Sequence, residues 1–114
     1  MKVVKRMGAQ GDMMIIRRDS LPEELTPRKP ENGKYVLAHS ETGHHHSVED
    51  ECCHVFDGRD NFGMVCYLKV EGEYADIVHH RSYDTHETLR LPKGDYEIRR
   101  QREYTPEGWR RVED

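Results

Sequence analysis

Turn residues recur about every ten residues along this chain and divide it into short apolar runs, the feature that most restricts its fold. The clearest run is FGMVCYLKV (62–70), whose alternation is expected to place Met64, Cys66, Leu68 and Val70 on one face. No segment shows the 3.6-residue period of the amphipathic helices that a βαβ fold requires. The pattern therefore predicts an all-β fold, a small antiparallel barrel or sandwich.

The same pattern gives the expected limits of the strands. CCHVF (52–56) is expected to continue or restart the strand that precedes it. EGE (71–73) is predicted to be a hairpin turn, and Pro92 to Gly94 a second turn. The other strands are predicted at 11–18, 34–40, 44–49, 62–70, 74–80 and 95–104.

Two stretches are expected to lie outside the strands. Residues 19–33 form a Pro-rich connection, extended or irregular, with at most one helical turn at PEEL and the turn dipeptide Asn32-Gly33 at its end. Residues 105–114 are expected to be a C-terminal tail in which Thr105 or Pro106 opens one helical turn.

A chain of 114 residues predicts a single domain, 1–114, with one modest core. Only 34% of its residues are hydrophobic and 35% are charged. So polar a chain needs an efficient small β-core, a metal ion or a partner in order to fold.

Charge and hydropathy restrict the partners and the location. A net charge of −4 argues against general affinity for nucleic acid, which depends on clustered positive charge. No run approaches the roughly 18 apolar residues of a membrane span, and the N-terminus lacks the apolar stretch of a signal peptide. We therefore expect a cytoplasmic protein whose partner is a small molecule or a protein; a homo-oligomer is compatible with the sequence.

The three cysteines are expected to be reduced thiols, because their number is odd and two of them are adjacent. Cys66 alternates with apolar residues and is predicted to be a core residue. Cys52 and Cys53 would point to opposite faces of an extended strand, and one of them could join His54 in a soft metal site.

Histidines are the main compositional anomaly: residues 42–54 alone contain four of the eight. If Val48 points into the core, His44 and His46 share its face, and two histidines at i and i+2 can chelate one ion. Neutral imidazole suits Zn, Fe, Ni or Cu. A third ligand is expected from VHHRSYDTHE (78–87), first His86 and then His80 or His79, between which parity does not choose.

Two other interpretations of the histidines stay open. They can be solvated side chains on a barrel rim that hold no ion, or one can act as a metal-free catalytic group. The sequence contains no G-x-S-x-G, P-loop, H-E-x-x-H or glycine-rich dinucleotide turn. It therefore assigns neither a reaction nor a substrate, and it leaves open whether a metal would be catalytic or structural.

QGDMMIIR near the N-terminus and HETLRLPKGDYEIRRQREYTPEGWRRVED at the end resemble a family of small uncharacterised bacterial and bacteriophage proteins. The resemblance runs from Gln10 to about Val112 and includes a T-G-H-x-H segment. It implies that the motif histidines are His44, His46 and His86, and that the terminal motif contains Arg99, Arg100, Gln101, Arg102 and Tyr104. The family often has a further histidine where this chain has Tyr83.

A weaker similarity is to cupins. His44, His46 and Glu49 nearly fit their first motif, with one residue fewer before the glutamate, and Pro92 and Gly94 fit their second. Glu97 stands where the second motif has a histidine, so the usual cupin ligand set is incomplete. The similarity implies a cupin-like barrel at most.

The alternative function rests on EIRRQREYTPEGWRR (97–111), which holds five arginines, Tyr104 and the only tryptophan. Such a strand can be the contact surface of a non-enzymatic, phage-type binding or assembly module. It can equally be a solvated edge strand whose arginines pair with the chain's own carboxylates.

Overall fold

The computed structural model describes residues 1–11, 13–38, 46–58, 65–79, 87–100, 102–105 and 108–111. Its regular structure consists of strands and one 3-10 turn, Asp50–Cys52. The all-β prediction is therefore confirmed. The strands are β1 (Lys2–Val3), β2 (Met7–Gln10), β3 (Met13–Arg18), β4 (Thr26–Pro27), β5 (Lys34–Ala38), β6 (His46–Glu49), β7 (Cys53–Asp57), β8 (Val65–His79), β9 (Leu89–Arg100), β10 (Arg102–Thr105) and β11 (Gly108–Arg111).

Nine of the strands form one sheet in the order β2-β3-β9-β8-β6-β5. Strand β1 adds to β9, and β7 adds to β8 beside β6 and carries β4 on its other edge. All pairings are antiparallel except that of β1 with β9. The described strands leave the sheet open, since β2 and β5 end the path without pairing to each other.

Strands β8 and β9 are long and run through the positions where turns were expected. Val70 pairs with Gly94 and Tyr74 with Pro92, so that 71–73 oppose a single residue as a bulge. The predicted hairpin at 71–73 and the predicted turn at Pro92–Gly94 are thus wrong. Glycine and proline signal a bulge inside a strand as well as a turn, and only long-range pairing decides between them.

The 3-10 turn between β6 and β7 lies at the level of this bulge, because β6 pairs with 77–79 and β7 with 66–70 of β8. The bulge of β8 and the break between β6 and β7 therefore lie at one level. This level divides the sheet into two parts. We call β1, β5, β6, 74–79 and 89–92 the histidine half, and β2, β3, β4, β7, 65–70 and 94–100 the arginine half.

The two halves share one hydrophobic core. Ile15, Leu68 and Ile98 fill it from the arginine half, and Ile77 and Leu91 fill it from the histidine half; each is at most 1% exposed. Burying side chains of this size contributes about 1.5–3 kcal/mol each. Cys66 is 4% exposed within this cluster, which confirms the prediction that it is a core residue.

The connection from 19 to 33 contains no helix, and its only regular element is β4. Arg28, just after β4, donates its backbone N–H to Val55 of β7 and its side chain to the carbonyl oxygen of Val36 in β5. Asn32 and Gly33 both have positive φ, 52° and 77°, between two hydrogen bonds that link Glu31 and Lys34. The predicted Asn-Gly turn is therefore confirmed, with the backbone of a type I′ turn.

The C-terminal segment differs from expectation. The strand predicted over 95–104 divides into β9, which ends at Arg100, and β10, which begins at Arg102. β10 pairs with β11 from Arg102↔Arg111 to Thr105↔Gly108, so a hairpin replaces the expected tail with a helical turn. Among the described strands, these two pair only with each other.

Candidate functional site

His46 opens β6 on the inner face of the histidine half. It is 1% exposed, and Val48 on the same face is 2% exposed, as the parity of the strand predicts. Ser47, the residue between them, is also buried. His44, two residues before His46, lies outside the described residues.

His79 ends β8 directly opposite His46 in the register of the two strands. It is fully buried and shares the face of Ile77. The rings of His46 and His79 are stacked, with centroids 4.0 Å apart and planes 9° from parallel. Of the two candidates that parity left open, His79 therefore lies beside His46, while His80 and the preferred third ligand, His86, fall outside the described residues.

Gln10, the last residue of β2, reaches this pair from the arginine half. Its Oε1 lies 2.9 Å from His46 Nδ1, and its Nε2 lies 2.9 Å from the carbonyl oxygens of both Ile77 and Glu87. The side chain is 2% exposed. One amide thus links the ring of His46, strand β8 and the residue that follows His86.

The sequence prediction missed this role of Gln10, although the residue belongs to the Q-G-D motif quoted above. The position of Gln10 follows from β2, a strand that the sequence pattern did not predict: Gly8 and Gln10 are buried and alternate with exposed Met7 and Ala9. A buried amide at such a position requires hydrogen-bond partners.

The described residues contain no group of three or more His, Cys, Asp or Glu side chains that could hold a metal ion. His46 and His79 are a pair, and their stacking restricts what the pair can do. An ion lies in the plane of each imidazole that binds it, about 2.0–2.1 Å from the nitrogen. Because the two planes are nearly parallel and stacked, one ion cannot lie in both of them. His46 and His79 therefore cannot bind one ion together in this arrangement.

The remaining histidine and cysteines of the described residues lie away from this pair. His54 on β7 is exposed and its Nε2 lies 3.2 Å from Glu71. Cys53 is buried and its thiol donates to the carbonyl oxygen of Glu49, whereas Cys52 is exposed. Cys52 ends the 3-10 turn and Cys53 begins β7, so the two do not lie on one extended strand as the sequence prediction assumed.

An open groove of about 550 Å³ lies over the irregular level of the sheet. Tyr74, Asp76 and Val78 of β8 line it, and they alternate along the strand with the buried residues Ala75, Ile77 and His79. Asp76 is held by two hydrogen bonds from Arg90, at 2.9 and 3.0 Å. The groove and the histidine pair therefore lie mainly on opposite faces of β8.

The beginning of the arginine-rich stretch is bound to the chain's own carboxylate. Glu97, 5% exposed, accepts hydrogen bonds from Arg18, at 2.7 Å, and from Arg99. Burial by itself would raise the pKa of Glu97, but the hydrogen bonds and charges of Arg99 and Arg18 outweigh it and lower the pKa. Here the arginines form a structural ion network, which is one of the two readings that the sequence offered.

In the part of the chain that the structure describes, no helix has the length and hydropathy needed to cross a membrane. No curated protein and no solved structure matches the chain. A family model described as a domain of unknown function, DUF8820, matches residues 9–101. This range contains Gln10, His46 and His79 and ends before the β10–β11 hairpin. The match agrees with the sequence resemblance to an uncharacterised family. Because the model covers most of the chain, the chain belongs to the DUF8820 family.

Proposed function

We propose that this protein binds one divalent transition-metal ion per chain, Zn, Fe, Ni or Cu, at the end of the sheet where His46 lies. The proposal rests on one observation: a buried imidazole, held by a buried amide, at the point where two histidine-rich stretches of the chain join the sheet.

The positions of the other histidines in the chain support a common site. Residues 39–45 lead into His46, and residues 80–86 lead out of His79, its partner in the register. With His46 and His79, these stretches hold every histidine of the chain except His54. His80 directly follows His79 in the chain, and His44 precedes His46 by two residues.

His86 is the proposed ligand from the second half of the chain. Its neighbour Glu87 accepts a hydrogen bond from the amide that also contacts His46. We therefore propose His46, His44 and His86 as ligands, with His80 as the fourth. His79 acts by stacking on His46, because the parallel rings do not share an ion.

Elemental analysis and calorimetric titration with Zn²⁺ of protein purified without a histidine tag test this proposal. We expect one ion per chain near neutral pH. Substituting Ala at His44, His46 or His86 should each weaken binding by tenfold or more, on the order of the effect of losing a ligand's supporting hydrogen bond. His54→Ala is the matched control, since His54 is exposed on β7 and should leave the affinity unchanged. Protein without stoichiometric metal, or a His54 variant as weak as the others, contradicts the proposal.

The β10–β11 hairpin favours a second function, that of a binding or assembly module. Among the described strands it pairs only with itself, and it lies beyond the range of the family model. Its sequence, REYTPEGWRR, carries three arginines and two glutamates. We propose an acidic partner for it.

Trp109, the only tryptophan, allows a direct test of the hairpin. Titration with poly-glutamate at low salt should change its fluorescence, and replacing Arg110 and Arg111 by Glu should abolish that change. An unchanged signal in the native protein contradicts the binding role and leaves the metal proposal untouched.

A further inference from the structure

We propose that Gln10 is a positioning residue that holds the His46 ring in the tautomer with hydrogen on Nδ1, so that Nε2 is the atom by which His46 binds a metal ion. The metal part rests on the proposed function above, whereas the tautomer does not depend on it.

The orientation of the Gln10 amide follows from its partners. Its nitrogen lies 2.9 Å from two backbone carbonyl oxygens, those of Ile77 and Glu87. Carbonyl oxygens only accept hydrogen bonds, and an amide NH₂ has two hydrogens to give. Exchanging the two ends of the amide would bring three oxygens together without a hydrogen between them. The NH₂ group therefore faces the carbonyls, and Oε1 faces His46.

The protonation of the His46 ring follows from that orientation. Gln10 Oε1 is an acceptor, so the contact of 2.9 Å with His46 Nδ1 requires a hydrogen on Nδ1. A neutral imidazole carries only one such hydrogen, which leaves the lone pair on Nε2. Metal-binding histidines commonly show this arrangement, in which a hydrogen bond to one ring nitrogen fixes the tautomer and the direction of the other.

Burial and stacking keep the His46 ring in this tautomer and orientation. Gln10 and His46 are 2% and 1% exposed, so bulk water does not compete for Nδ1. The ring of His79 covers one face of His46 at 4.0 Å and fixes its tilt, while the hydrogen bond fixes its rotation within the plane. The strand pair and the amide together set the direction in which Nε2 points.

Nitrogen-15 NMR of the histidine side chains in the metal-free, full-length protein tests the tautomer. At pH 8 we expect His46 to show a protonated Nδ1 and an unprotonated Nε2, and Gln10→Leu to lose this preference. A native His46 with its hydrogen on Nε2 overturns the proposal whether or not the protein binds metal. If the Leu variant does not fold, the measurement on the native protein still decides.

Zn²⁺ affinity, measured against a competing chelator, tests the role in binding. Gln10→Leu should weaken binding by about 10–100-fold, the usual effect of losing an outer hydrogen bond to a ligand. Ile15→Val is the control: it destabilises the core from β3, which neither carries nor pairs with His46, and should change the affinity less than twofold. Equal losses in both variants overturn the positioning role. Native protein that binds no Zn²⁺ refutes the proposed function alone, because the NMR result still decides on Gln10.

Discussion

The two halves of the sheet bury polar groups in opposite ways. In the arginine half, the buried carboxylate of Glu97 lies between two arginines that neutralise it. In the histidine half, two stacked imidazoles and an amide that reaches them from the arginine half take the place of ions on the inner face. The carboxylate of Glu97 is thus already paired within the chain. The amide of Gln10 orients a buried imidazole, which makes the histidine half the better candidate for function.

The largest effect should come from shortening the arginine half. Removing residues 95–114 deletes the part of β9 that pairs with both β3 and β8 and carries Tyr96 and Ile98. This should cost more than about 5 kcal/mol, the lower end of the stability of natural domains, and abolish cooperative unfolding in urea. Removing only 102–114 deletes the hairpin and should preserve a cooperative transition. Equal behaviour of the two fragments contradicts the described topology.

The next effect concerns the stacked rings of the histidine half. His79→Ala empties a fully buried position and should destabilise the protein by about 2–4 kcal/mol. His79→Phe keeps an aromatic ring against His46 and should cost less than the Ala variant, even though the core must accommodate a larger ring. Urea unfolding measures both, with His54→Ala expected within about 0.5 kcal/mol of the native protein. A Phe variant as unstable as the Ala variant would show that stacking is not what His79 contributes.

A smaller effect should come from the charge of Glu97. The pKa of Glu97 is lowered in the folded protein, so its ion network stabilises the fold above the unfolded value of about 4.3 and is lost as the pH falls through the lowered pKa. Glu97→Gln should remove this acid-sensitive contribution. At pH 7 it should cost less than about 1 kcal/mol, since the arginines are 39% and 57% exposed and return to water. Urea unfolding from pH 7 to 3 tests this. An unchanged acid dependence in the variant refutes it.

The last test needs no substitution and is expected to show the smallest effect. It probes the burial of the cysteines in the arginine half. A thiol reagent at pH 8 should label Cys52 quickly and spare Cys53 and Cys66 until urea is added. Burial raises the pKa of Cys66 to about 11, so little reactive thiolate is present. Mass spectrometry of the labelled peptides identifies the sites. Native labelling of Cys66 at the rate of Cys52 would show that the arginine half opens.

Much of the fold follows from local pattern. Apolar runs bounded by turn residues identified β3 and β5, the Asn32-Gly33 pair identified its turn, and the parity of Val48 placed His46 on the inner face. The bulge at 71–73 could not be predicted in this way. Its glycine is equally suited to a hairpin, and only the pairing of β8 with β9 makes it a bulge.

The candidate site was predicted only in part, for a related reason. His46 could be found from its own strand. His79 and His80 could not be separated, because each shares a face with an apolar neighbour, Ile77 or Val78. Gln10 was missed because nothing near it in the chain indicates its partners. His44, His80 and His86 lie outside the described residues, so their part in a site stays a prediction.

The contacts of Gln10 also say when this site can form. The residue lies 36 positions before His46, 67 before Ile77 and 77 before Glu87. At 5–20 residues per second, a ribosome needs about 4–15 s after making Gln10 to complete its last partner. Pairings so distant in the chain form late in refolding as well. A newly made chain therefore has Gln10 and His46 before it has the carbonyl oxygens that orient the Gln10 amide, and a metal ion that arrives early meets flexible imidazoles rather than a finished site.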